Sequence, residues 1–118
     1  MGQNKNEYDR EYYRLNREKR KEQIRQRNLI AIARNRQNLI EFLTNQSCVD
    51  CGFNDIRALQ FDHRNPDQKR GEISNMVSTA YSWDTILDEI SKCDIVCANC
   101  HSIRTSETYG FYKSAGLA

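Results

Sequence analysis

The chain has 118 residues, 38% apolar and 29% charged, with a net charge of +2. That length suits one small domain with an appendage, and the apolar share excludes a large core. No apolar run is long enough to span a membrane, and none near the N-terminus resembles a signal peptide, so the expected location is intracellular, with no membrane partner.

Charge is unevenly spread. Residues 1–46 carry eleven Lys/Arg against six Asp/Glu, and residues 47–118 carry seven against ten. A basic arm on a mildly acidic body fits an arm that meets phosphate and a body that holds cations. A solvated charged helix explains the same pattern. Residues from about 7 to 45 lack Pro and Gly and are rich in Arg, Glu, Gln, Lys and Leu, which predicts one long helix or two in sequence. Leu29, Ile32, Ala33, Leu39, Ile40 and Leu43 form a helical stripe with a gap at Arg36, so the second half should dock on the body. The first half, with Tyr8, Tyr12 and Tyr13 among arginines, is expected to project. It suits a nucleic-acid backbone or a self-association surface. The division expected is therefore 1–46 as a basic helical arm and 47–118 as the body.

Cys48-Val-Asp-Cys51-Gly52 follows as a tight turn, with Gly52 suited to a positive φ. Ala58 to His63 alternates around Leu59 and Phe61 and predicts a short strand. Asn65-Pro66-Asp67 stops it, and residues 67–80 are expected to be loop. Ser82 caps a helix whose Trp83, Ile86, Leu87 and Ile90 recur at amphipathic spacing. Asp94 to Cys97 predicts a second strand, and Ala98 to about Thr108 a final helix.

Cys48/Cys51 and Cys97/Cys100 are two pairs of two-residue spacing, 45 residues apart. In an intracellular chain such pairs favour metal over disulfide. Four thiolates complete the tetrahedral shell of structural zinc. Cys93 is either a small buried hydrophobe or a replacement ligand. The two histidines, His63 and His101, each adjoin an element that the zinc would order. A zinc ion joining the pairs draws the strand ending at Asp62-His63 toward the helix of His101. Asp62 and His101 could then supply an oxygen and an imidazole to a second, hydrolytic metal. His63 would stay free as a general base, because an imidazole can accept a proton near neutral pH. Neighbouring strand residues point to opposite faces, so Asp62 and His63 can serve one phosphate only if the chain bends or bulges there. Arg104, on one helix face with His101, and Lys69 and Arg70 are candidate phosphate contacts.

Cys48-Val-Asp-Cys51-Gly52-Phe53, Leu59-Gln-Phe-Asp62-His63 and Lys92-Cys-Asp-Ile-Val-Cys97-Ala-Asn-Cys100-His101-Ser-Ile-Arg104-Thr105 together resemble the HNH, or ββα-metal, nucleases. The likeness is to the branch with two zinc knuckles, seen also in phage junction resolvases of the endonuclease VII type. It covers residues 48–105. It implies an α+β fold, a small zinc-stapled, treble-clef-like ββα-metal domain behind the helical arm. It also implies hydrolysis of DNA phosphodiester bonds with Mg2+ or Mn2+. The general base falls on His63, the catalytic metal on Asp62 and His101, and the structural zinc on Cys48, Cys51, Cys97 and Cys100. DNA is the implied partner, a homodimer could cut both strands, and the implied setting is the cytoplasm of a bacterial or phage-infected cell. The asparagine that braces the family's metal loop has no obvious equivalent. Asn75 and Asn99 lie away from its place, and Asp94 is the alternative brace. A non-catalytic zinc module that binds nucleic acid would need the cysteines and the arm, but not Asp62, His63 and His101 together. A protein-interaction adaptor built on the arm is a third reading, weakened by the gap at Arg36.

Overall fold

An uninterrupted run of helix-forming residues becomes one helix of 40 residues, α1 (Lys5–Thr44). The structure is a computed structural model describing residues 5–116; residues 1–4 of the arm, and 117 and 118, lie outside the described residues. Every residue from Arg10 to Ile30 is exposed. This stretch carries its own support in the ion pairs Arg14–Glu11, Lys21–Glu18 and Arg25–Glu22, spaced three apart so that they meet on one helix face. The molecule consequently measures 88 × 31 × 21 Å.

The last turns of α1 belong to the body. Leu43 is buried, and Leu39 and Phe42 pack against both clusters of the core. The boundary drawn at residue 46 therefore cuts after core residues. Asn35, only 3% exposed, donates from Nδ2 to the carbonyl of Tyr81 at 2.8 Å. That bond fastens the helix to the segment just ahead of Ser82.

After a short 3-10 turn, β1 (Leu59–His63) pairs antiparallel with β2 (Cys93–Cys97). The register runs without interruption from Leu59 opposite Cys97 to His63 opposite Cys93. The bend or bulge that a shared role for Asp62 and His63 was expected to require is absent, because the ladder stays regular through His63. Between the strands lie α2 (Ile73–Ser78) and α3 (Trp83–Ile90). Helix α2 corrects the loop expected over 67–80. Its Ile73, Met76 and Val77 are buried against Ile86 and Ile90 of α3. Six residues are too few to hold a helix by propensity, so this element exists through its packing. Helix α3 starts where its sequence says, with Ser82 Oγ accepting from the Thr85 amide. After β2 come α4 (Ala98–Tyr109) and α5 (Tyr112–Ala115). The whole is α+β, mostly helical, with a small two-stranded sheet. No helix among the described residues is long and apolar enough to cross a membrane.

Candidate active site and metal centre

The turn at Cys48–Gly52 closes by two backbone bonds. Cys48 N–H donates to Phe53 O, and Gly52 N–H donates to Cys48 O, both at 2.8 Å. Gly52 has φ +82, a conformation that costs a residue bearing Cβ. The amide of Val49 then donates to Ile95 O, which seats the turn on β2. Cys97 ends β2 and caps α4, its sulfur accepting from the Cys100 amide. The sulfurs of Cys48, Cys51, Cys97 and Cys100 thereby lie within 4.8 Å of one another, with Cys51 and Cys97 at 3.7 Å. Four bonds of about 2.3 Å in a tetrahedron set sulfur–sulfur edges of about 3.8 Å. The four cysteines could hold a metal ion such as zinc. Burial raises the Cys48 thiol, but the backbone groups of Cys97, Cys51 and Asp50 outweigh it and bring it down to about 6, which favours the thiolate a metal needs. Cys93 stands outside the cluster. It is buried, its Sγ contacts the carbonyl of Glu89, and burial pushes its thiol up to about 11.

Beside this cluster the regular strand sends its side chains both ways. Gln60 and Asp62 face α4. Asp62 Oδ1 lies 3.8 Å from His101 Nε2, and Gln60 Oε1 lies 2.5 Å from His101 Nδ1. An amide oxygen accepts, so Nδ1 carries the proton and the Nε2 lone pair looks toward Asp62. Adjacent ligands of an octahedral ion with bonds of about 2.1 Å stand about 3.0 Å apart, so the two atoms would have to close on each other to share one small divalent cation. The orienting bond from the second ring nitrogen is what metal-binding histidines ordinarily have.

Asp94 lies directly across from Asp62 in the ladder. Like charges so placed repel, and Arg104 answers both. Its Nη1 donates to Asp62 Oδ2 and Asp94 Oδ2 at 3.0 Å, and its Nε and Nη2 grip Asp50. Arg104 holds the Asp50 and Asp94 carboxyls below their ordinary value, and the three carboxylates in turn raise its own.

His63 leaves the strand on the other face. Its side chain is 7% exposed, and Nε2 lies 3.1 Å from Oε2 of Glu89, which is 1% exposed. Glu89 also accepts from the Arg70 amide at 2.9 Å and from Lys92 Nζ at 2.8 Å. Burial alone would raise this carboxyl, but Lys92, the Arg70 amide and His63 together bring it down to about 2. It is an anion and an acceptor, so His63 Nε2 carries the proton.

Asp62, His63 and His101 all border one cleft of about 540 Å³, together with Lys69, Asp94 and Arg104. Contrary to the expectation from strand geometry, no bulge is needed to bring Asp62 and His63 to one site: the two leave a regular ladder on opposite faces, but His63 is the last residue of β1, and both border the cleft at the strand's end. Of the expected phosphate contacts, Lys69 pairs with Glu72, Arg104 is engaged by three carboxylates, and Arg70 lies over the ring of Tyr81 at 5.8 Å. The expected brace, Asp94, faces away from His63. The residue that touches His63 is Glu89, which sequence reading missed. Its signal was a carboxylate within the apolar stripe of α3, three positions after Ile86. No family model, curated protein or solved structure matches the chain.

Proposed function

We propose that the chain is a metal-dependent HNH endonuclease that hydrolyses DNA phosphodiester bonds on a treble-clef-like ββα-metal domain. The observation that carries this reading is the convergence of Asp62 and His101, 3.8 Å apart, on a cleft that His63 also borders. Zinc on Cys48, Cys51, Cys97 and Cys100 would fix β2 and α4 and so hold His101 over β1. Asp62 Oδ1 and His101 Nε2 would hold Mg2+ or Mn2+. Such a cation, when bound, supplies Lewis-acid stabilisation of charge on the leaving oxygen. His63 takes a proton from water as its oxygen bonds to phosphorus and the bond to the leaving oxygen breaks. Lys69 and the exposed arginines of α1 offer sequence-independent phosphate contacts.

A second reading, a non-catalytic zinc module that binds nucleic acid, is favoured by one observation. Arg104 already occupies the second oxygen of Asp62, which weakens that carboxylate as a metal ligand.

The test is cleavage of plasmid, nicked, branched and single-stranded DNA with Mg2+ or Mn2+, beside a His63→Ala variant. Cleavage lost in the variant, with zinc retained, supports the nuclease. A parent protein that binds DNA and cleaves none of these substrates leaves the second reading.

A further inference from the structure

The nuclease reading leaves one buried ionised group without a role. Glu89 is 1% exposed, yet it sits on an apolar helix face where a leucine would pack at lower desolvation cost. Its two oxygens collect three donors from three directions: His63 from β1, the Arg70 amide from the loop before α2, and Lys92 from the entry to β2. Lys92 Nζ also reaches the carbonyl of Gln68 at 3.2 Å. One carboxylate thus ties the histidine to the loop that walls the cleft.

We propose that Glu89 is the positioning residue for His63, holding the ring as its Nε2–H tautomer so that the Nδ1 lone pair is presented to the cleft. A carboxylate only accepts, so Nε2 must be the protonated nitrogen, and a neutral ring then has its basic pair on Nδ1. Among the described residues no buried side-chain nitrogen or oxygen lacks a partner. Among the described residues the hydrogen bond of the His63 ring is made at Nε2 and none is made at Nδ1, which leaves Nδ1 to water in the cleft that His63 lines. The catalytic consequence rests on the nuclease reading; the tautomer does not. Glu89 takes the bracing place for which no asparagine is available, acting through the ring rather than on any metal loop.

The tautomer is read from long-range 15N–1H NMR correlations at mildly alkaline pH. The chain has two histidines, and a His101→Gln variant assigns their signals. The intact protein is expected to show His63 protonated at Nε2. In Glu89→Gln, whose amide can donate as well as accept, that preference is lost. Turnover on plasmid falls about 10- to 100-fold while KM stays within about threefold, the usual scale for losing an orienting partner. A wild-type His63 protonated at Nδ1 overturns the proposal. So does a Glu89→Gln protein with the same tautomer and turnover within about threefold of the parent. Should Glu89→Gln not fold, the wild-type spectrum decides alone. Should the parent cleave nothing, the nuclease reading falls, and the wild-type and variant spectra still decide the role of Glu89.

Discussion

Asp62 and Asp94 stand opposite each other across the two-stranded ladder, and the guanidinium of Arg104 bonds both at 3.0 Å. This pairing couples the strand geometry to the chemistry of the cleft, because Asp62 is also the carboxylate that approaches His101. Replacing Arg104 by Met leaves two facing carboxylates without their cation. A loss of about 1–2 kcal/mol in urea unfolding at neutral pH is expected, the scale of a partly exposed charge network. A variant as stable as the parent would show that solvent screens the pair without help.

The four-cysteine cluster predicts metal stoichiometry. Purified protein should contain one zinc per chain by elemental analysis. Cys51→Ser or Cys97→Ser should lose it, with Tm lower by at least about 10 °C, since metal-binding free energy is folding free energy in such sites. Cys93→Ser should keep its zinc, because Cys93 contacts Glu89 and lies outside the cluster. Zinc lost from that variant alone would reassign the ligands.

Glu89 gives stability a defined pH dependence. Its carboxyl is brought from the ordinary 4.5 down to about 2 in the fold. A depressed folded-state value means that its contribution is complete above about pH 4.5 and drains away as pH falls toward about 2. Chemical denaturation across that window should therefore show a steeper acid loss for the parent than for Glu89→Gln. Parallel curves would remove the carboxylate from the acid transition.

Helix α1 should divide into dispensable and essential parts. Deleting residues 1–28 removes mostly exposed positions and should leave Tm within about 2 °C. Under the nuclease reading it should also weaken DNA binding and flatten its salt dependence. Asn35→Ala removes a buried side chain and its part-buried bond to the Tyr81 carbonyl and should cost about 0.5–1.5 kcal/mol. Equal stability of Asn35→Ala and the parent would mean that the carbonyl finds water.

Ala80, between α2 and α3, has φ 61, where Cβ crowds the backbone. Ala80→Gly relieves that crowding and should gain about 0.5–1 kcal/mol by urea unfolding, after the greater entropy lost by glycine. A destabilised variant would show that the methyl group packs usefully.

Local chemistry announced much of this fold. The long helix followed from an unbroken run of good helix formers, α3 from its cap and stripe, and the knuckle from Cys-x-x-Cys-Gly. These are decided within a few residues, by backbone preferences and periodicity that a sequence displays directly. Helix α2 was illegible for the opposite reason. Its three buried residues gain a helix only by packing on α3, and nothing local distinguishes them from a loop.

The side-chain partners around the site depended on register. Read alone, the sequence settled which residues were chemically able to bind metal or move a proton: the two cysteine pairs, Asp62, His63 and His101. Tertiary structure decided which of them meet. An antiparallel register that sets Asp62 opposite Asp94 turns His63 toward α3, where Glu89 receives it, and turns Asp62 toward Arg104 and His101. A shift of one residue would exchange those faces. Residue type limits what a group can do; the pairing of the two strands determines what it faces.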